Sequence, residues 1–244
     1  MSMIQIDNLT KAVGENKTKV LDHISLEIQH GEMIALVGPS GSGKSMLLKC
    51  LAMKESWSEG NFRVGDTDIL KAGFSGKRKL SKEWSYLEQS PQLHPERTAL
   101  KTVLIGQMGQ TPLWRMLTGM VRSDDYMGAM DVLETLGLLD KAHQKAGTLS
   151  GGEKQRVAIA RALAHGAKVI LADEPITGLD PRSGEEVIKT LRGLCSSERL
   201  TVISVIPLEL AERYATRIIG LQEGRIMFDV KGRRLTSAER SKLI

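Results

Sequence analysis

The chain opens on alternation. Ile4 and Ile6 are separated by a polar residue, and Ile24, Leu26 and Ile28 repeat the pattern. A period of two predicts half-buried strands, because successive side chains of a strand point to opposite faces. His30-Gly31-Glu32 then turns the chain into Met33-Ile34-Ala35-Leu36-Val37, an unbroken apolar run of the kind a fully buried strand carries. Lys44 to Met53 is helix-forming. Residues 60–74 mix Gly, Asp and apolar positions and predict a hairpin region. Trp84 to Leu87 predicts a short strand.

The pattern changes after Gln89. From Ser90 to Gly147 no strand is predicted. Val103-Leu104-Ile105 and Trp114 to Met120 read as helical. Ser123 is placed to cap a helix with apolar positions Tyr126, Met130, Leu133 and Leu136, ended by Gly137. Alternating strands and helices then resume. Ser150, followed three residues later by Glu153, is a capping box for a helix running to His165. Val169 to Ala172 predicts a buried strand ending at Asp173-Glu174-Pro175. Val187, Ile188 and Leu191 mark a helix, and Thr201 to Ile206 another buried strand. Arg217 to Leu221 and Arg225 to Val230 flank the turn Glu223-Gly224. The polar last eight residues predict a mobile helix or tail.

Alternating units imply a mostly parallel sheet with helices on both faces. The chain reads as one domain, 1–244: residues 1–89 and 151–244 make the core with its additional β-strands, and 90–150 an inserted helical subdomain. Its 244 residues, 41% hydrophobic and 26% charged, suit a globular protein with a sizeable core. The net charge of +5 is mild and aromatics are only 4%, which argues against a nucleic-acid partner. The basic cluster Lys77-Arg78-Lys79 with Lys82 reads as a solvated face. Cys50 and Cys195 lack metal-site spacing and predict reduced thiols. Neither a signal segment nor an apolar run near membrane-span length is visible, so membrane association is expected only through a partner.

The candidate chemistry sits where strands meet helices. Gly38-Pro39-Ser40-Gly41-Ser42-Gly43-Lys44-Ser45 fits G-x-x-x-x-G-K-[ST], the phosphate-binding loop. Its glycines allow a tight turn with N–H groups pointing inward. Lys44 can reach the β- and γ-phosphates, and the Ser45 hydroxyl can hold Mg²⁺. Ligands of parallel sheets bind beyond the strands' carboxyl ends, where both this loop and Asp173-Glu174 fall. Asp173 can hold the Mg²⁺ of a nucleotide, and Glu174 can polarise water for attack on the γ-phosphate. Alternatively, the two acids only cap the following segment. In Leu149-Ser150-Gly151-Gly152-Glu153-Lys154-Gln155-Arg156, a serine hydroxyl and glycine N–H groups at a helix start make a second anion site. Either both sites serve one chain, or each completes a site on a partner's nucleotide. A plain capping box would give no reason for the two glycines.

These motifs resemble the nucleotide-binding subunit of an ATP-binding-cassette (ABC) transporter over almost the whole chain. The resemblance implies an α/β P-loop NTPase (RecA-like) fold, with a mostly parallel sheet, an antiparallel β subdomain and an inserted helical subdomain. Lys44 and Ser45 match the Walker A residues that hold ATP phosphates and Mg²⁺. Gln89, in Glu88-Gln89-Ser90-Pro91, matches the glutamine that senses the metal and the attacking water. Asp173 and Glu174 match Walker B and the catalytic glutamate. Ser150, Gly151 and Gly152 match the signature that closes on the other subunit's ATP, and Asp180, in Gly178-Leu179-Asp180, matches the loop at the dimer interface. The family works as a dimer sandwiching two ATPs, so each signature would serve the opposite chain. Implied partners are a second ABC subunit (the same chain or a paralogue), a membrane permease and, indirectly, an extracytoplasmic solute-binding protein. The implied location is the cytoplasmic face of the cell membrane. Val103-Leu104-Ile105-Gly106, Thr111-Pro112-Leu113-Trp114-Arg115 and Val169 to Pro175 resemble phosphonate importer ATPases in particular. Trp114 reads equally as a core or subunit-contact aromatic and as a ligand contact.

Three positions depart from the family. Val13 stands where an aromatic usually stacks on adenine, a loss of roughly 1–3 kcal/mol by analogy with base–aromatic stacking. Met46 stands where a hydroxyl residue usually touches the α-phosphate. Aligning on Arg213-Tyr214 and Arg217-Ile218 puts Ile206, followed by Pro207, where a histidine usually contacts the γ-phosphate. Losing one such donor can cost about 10²–10³ in rate. The expected function is therefore an importer ATPase for phosphonate or a related phosphorus oxyanion, powered by ATP-driven dimer closure. The alternative is a nucleotide-binding regulatory or structural subunit with little turnover. DNA-repair and translation ATPases of this type usually carry two cassettes or long coiled-coil insertions, and neither is visible.

Overall fold

A computed structural model describes residues 3–108, 123–197 and 199–243. The expected helix at Trp114 to Met120, and with it Thr111 to Arg115, lies outside the described residues.

Two sheets frame the fold. β1 (Ile4–Val13), β2 (Thr18–Ile28), β4 (Glu59–Val64) and β5 (Thr67–Asp68) form an antiparallel sheet in the order β2-β1-β4-β5. β3 (Met33–Val37), β6 (Trp84–Leu87), β7 (Val169–Ala172), β8 (Thr201–Val205), β9 (Arg217–Gln222) and β10 (Arg225–Lys231) form the second, ordered β10-β9-β3-β8-β7-β6. Its neighbours pair in parallel except β10, which returns antiparallel on β9. Glu223 and Gly224, both at positive φ, make the tight turn between them.

The continuous apolar runs are explained by burial on both faces. Met33, Ala35 and Val37 of β3 join one core with Ile170 and Ala172 of β7, while Ile34, Leu36, Val169 and Leu171 join another. The first core lies under α3 (Ala99–Met108), α4 (Ser123–Thr135), α5 (Gly151–Ala164) and α6 (Pro181–Ser197), with Val103, Leu133, Ile159 and Leu191 packed together. The second lies between the parallel sheet, α1 (Lys44–Leu51) and the antiparallel sheet, where Ile4, Ile6, Leu47 and Phe62 meet. Gly106 is needed where α3 crosses α5, since a Cβ there would fall 2.5 Å from the Arg161 carbonyl oxygen.

Most predicted elements stand, with three differences. β1 and β2 run further than their alternation suggests. Register shifts beyond Ile6, with Asn8 at φ 54°, throw the pattern out of phase. After the hairpin, α2 (Gly73–Glu83) occupies the basic stretch read only as a solvated face. α7 (Leu208–Tyr214) was likewise not anticipated. Leu80 is buried in α2 and Ala211 in α7, too little apolar surface for a 3.6-residue period to be visible. The C-terminal segment holds α8 (Ser237–Ser241), started by a capping box of Thr236 and Glu239. Among the described residues, no helix is long and apolar enough to cross a membrane.

Candidate functional site

The loop 38–45 leaves the end of β3 and enters α1. Gly38, Gly41 and Gly43 take φ of 148°, 79° and 100°. Gly38 is the most constrained: a Cβ there would lie 2.0 Å from the Leu221 carbonyl oxygen on β9. The β9–β10 turn supports the loop from behind, with Gly224 N–H donating to the Ser42 carbonyl at 3.1 Å. Lys44 lies folded along the loop, its ammonium donating to the carbonyls of Gly38 (2.9 Å) and Pro39 (2.7 Å) and to Ser42 Oγ (3.2 Å). Burial pulls its pKa below the ordinary lysine value, against the opposing pull of Glu174 and Asp173.

β3 and β7 lie either side of β8, which brings their carboxyl ends to one edge of the sheet. Ser45 Oγ donates to Asp173 Oδ1 at 2.8 Å across that edge. These are hard oxygen donors side by side at the start of α1. Two protein oxygens suit Mg²⁺, which keeps waters and takes nucleotide phosphates as its other ligands. Asp173 Oδ2 accepts a second hydrogen bond, 2.7 Å from Tyr86 OH on β6. Glu174 follows at φ 48°, a backbone state that costs a non-glycine residue about 1–3 kcal/mol and that gathers at functional sites. Its Oε2 accepts from Thr177 Oγ1 at 3.2 Å.

Lys44, Ser45, Met46 and Glu174 line a cavity of ≈ 620 Å³, and Ile206 and Pro207 line the same cavity. Gly38, Ser40, Gly41 and Gly43 contribute its floor. Ile206 is only 5% exposed. That part of the cavity wall is thus a packed aliphatic side chain. Val13, at the end of β1, is 37% exposed and is not among the cavity's lining residues, whereas Val20 is. Gln89 is exposed in the bend after β6 and does not line the cavity either.

The capping box expected at Ser150 and Glu153 is formed. Glu153 N–H donates to Ser150 Oγ at 3.3 Å, and Ser150 N–H donates to Glu153 Oε2 at 2.8 Å. Those bonds hold the Glu153 carboxyl below the usual range, the bond from the Ser150 backbone leading. The two glycines acquire an intrachain reason that the sequence did not offer. A Cβ on Gly151 would lie 2.6 Å from Leu179 Cδ2, and one on Gly152 3.0 Å from Ser183 Cβ. Asp180 lies between these contacts and accepts from Ser183 N–H at 3.0 Å. Hydrogen bonds from Ser183 lower its pKa. The chain therefore gathers its site residues into two groups. Residues of the phosphate loop, Glu174 and Ile206 line one cavity, with Asp173 joined to them through Ser45, and Ser150, Gly151 and Gly152 abut the Asp180 segment; Gln89 and Val13 belong to neither group.

Sequence reasoning missed Tyr86, Thr177 and Val20. Val20 and Thr177 carried no motif. Tyr86 could be found only by knowing that β6 pairs with β7, which aligns Leu87 with Ala172.

Residues 21–177 match the family described as ABC transporter. The chain is 36% identical over 235 residues to a Lactococcus lactis subsp. cremoris protein named phosphonates import ATP-binding protein PhnC, covering 96% of this chain and 95% of that one. It is 40% identical over 228 residues to a Bacillus cereus protein of the same name, covering 93% and 88%. Among solved structures it resembles the ATP-binding cassette MJ0796, described as a dimeric post-hydrolysis state bound to ADP and Pi. That match has a TM-score of 0.80 at 30% identity and covers 95% of this chain and 100% of the other. The cassette MJ1267, in its ADP conformation, matches with a TM-score of 0.80 at 26% identity, covering 95% and 92%.

Proposed function

We propose that this chain, which belongs to the ABC transporter family, is the ATP-binding and hydrolysing subunit of an importer for phosphonate or a related phosphorus oxyanion. The observation that carries the ATPase reading is the Ser45–Asp173 hydrogen bond, its serine lining one cavity with Lys44 and Glu174. The cargo assignment rests on the relatives named above as phosphonate import proteins. The chain would act on the cytoplasmic face of the membrane, through a permease fed by an extracytoplasmic solute-binding protein.

In this reading the loop N–H groups and the Lys44 ammonium bind the nucleotide's phosphates, Lys44 exchanging its contacts to Gly38, Pro39 and Ser42 for phosphate oxygens. Ser45 and Asp173 hold Mg²⁺, which when bound neutralises charge on the phosphates. Glu174 orients and deprotonates the attacking water, and Gln89 approaches from the exposed bend once nucleotide is in place. Ser150, Gly151 and Gly152 complete the site of a second subunit, either another copy or a paralogue, with Asp180 beside them at the interface. Closure of the two subunits moves the permease.

Ile206 favours a second reading, a subunit that binds nucleotide and turns it over slowly. It offers no hydrogen bond to the cavity that holds Glu174. Met46 and Val13 remove two further contacts to the nucleotide. The test is uptake into vesicles containing the chain and the permease that purifies with it. ATP-dependent uptake of a phosphonate, competed by related phosphorus oxyanions, supports the importer reading. Tight Mg²⁺·ATP binding with neither uptake nor a co-purifying membrane protein supports the second. Failure to bind Mg²⁺·ATP overturns both.

A further inference from the structure

Asp173 has two carboxylate oxygens, and the structure accounts for each. Oδ1 receives the Ser45 hydroxyl at 2.8 Å, and Oδ2 receives the Tyr86 phenol at 2.7 Å. A carboxylate accepting one bond can swing about its χ angles, whereas one accepting from opposite sides is fixed in plane and direction. Tyr86 is suited to the holding role. It stands on β6, hydrogen-bonded edge to edge with β7, whose end Asp173 directly follows, so its Cα is set by the sheet and not by a loop. Its ring is also held by Lys54, whose Nζ sits over it 4.1 Å from the centroid. Lys54 in turn is tied to Glu88 Oε1 at 3.1 Å, on the segment leading to Gln89. The ring is half-buried and also lines a second cavity of ≈ 480 Å³ with Leu80, Ile105 and His165. A phenylalanine would fill that space equally, so packing does not require the hydroxyl.

We infer that Tyr86 is a positioning residue for the metal: through its hydroxyl it aims the Asp173 carboxylate so that Oδ1, beside Ser45, faces the divalent cation that accompanies the nucleotide. The inference rests on the ATP-binding reading above. Tyr86 does not line the phosphate-loop cavity and reaches the site only through Asp173. Outer contacts of this kind typically govern about 10–100-fold in metal affinity.

The test is a metal titration read by binding. Mn²⁺ is titrated into wild-type chain and Tyr86→Phe with saturating ATP analogue, and bound Mn²⁺ is followed by electron paramagnetic resonance. Binding of the analogue without metal is measured in parallel, with the melting temperature of each protein. Tyr86→Phe should raise the Mn²⁺ half-saturation about 10–100-fold while leaving metal-free binding and melting temperature near wild type. Lys54→Met, which frees the ring but keeps the hydroxyl, should give a smaller rise. Half-saturation in Tyr86→Phe within about twofold of wild type, or below it, overturns the inference. An equal loss of metal-free binding overturns it too, because the role would then be structural. A wild-type chain that binds no Mn²⁺ with the analogue overturns the ATP-binding reading itself, a result distinct from the other two.

Discussion

Replacing Ile206 by histidine is the sharpest perturbation of the catalytic half of the account. Ile206 is 5% exposed and lines the cavity with Lys44, Ser45 and Glu174. Fully burying an isoleucine side chain is worth about 1.5–3 kcal/mol. Histidine keeps part of that contact, so the variant should lose about 1–2 kcal/mol of stability and remain folded. In return the cavity gains a donor that, under the proposed function, would face the phosphate on which charge develops. One such donor is worth on the order of 10²–10³ in rate, or about 2.7–4 kcal/mol of barrier. The assay is steady-state phosphate release under saturating Mg²⁺·ATP, for wild type and Ile206→His, with melting curves for both. Slow wild-type turnover raised about a hundredfold is the expected result. Adding Glu174→Gln to the variant should abolish the gain, which ties it to this cavity. Equal and robust rates in both proteins would refute the reasoning. So would a gain below about threefold in a folded variant that still binds nucleotide.

Two further outcomes follow from the geometry. Gly38→Ala should destabilise the chain by more than about 3 kcal/mol in chemical denaturation, because its Cβ would lie 2.0 Å from the Leu221 carbonyl oxygen. Gly41→Ala, whose Cβ meets nothing within 4 Å, should cost only the left-handed backbone, about 1–2 kcal/mol, and equal losses would contradict the fit of the loop to β9. Burial pushes the thiols of Cys50 and Cys195 up to about 11. Raised values leave both protonated at pH 8, with about one thiolate per thousand against roughly a quarter for an ordinary thiol. A disulfide reagent at pH 8 should therefore modify native protein at least about 100-fold more slowly than denatured protein. Rapid labelling of either cysteine in the native chain would contradict the burial.

Much of this was legible because chemistry and pattern coincide. β3 and β7 are buried on both faces, so they read as unbroken apolar runs, and each ends in the residues that carry the site. The hairpin β9–β10 announced itself through Glu223-Gly224. The remainder lay in relations that no local window holds. The asymmetric bulges of β1 hid its length, and α2 and α7 bury too little to show a period. The neighbours of Gly151 and Gly152 come from residues 179–183, so the sequence could state only that a capping box leaves two glycines unexplained. Tyr86 was invisible for the same reason. Its bond to Asp173 spans 87 residues and exists because β6 pairs with β7. Ile206 was the opposite case. Its departure from the expected histidine is legible in the sequence, and in the structure it lines the cavity of the phosphate loop and Glu174.

In the proposed function, Ser150, Gly151 and Gly152 serve the nucleotide of another subunit. Sedimentation of Glu174→Gln, which should retain ATP, tests it most directly, with and without Mg²⁺·ATP and with Ser150→Arg added. A 26.8 kDa monomer should double in mass only when nucleotide and metal are present, and should stay single when Ser150→Arg is introduced. A chain that stays monomeric with bound Mg²⁺·ATP, or a dimer indifferent to Ser150→Arg, would contradict it.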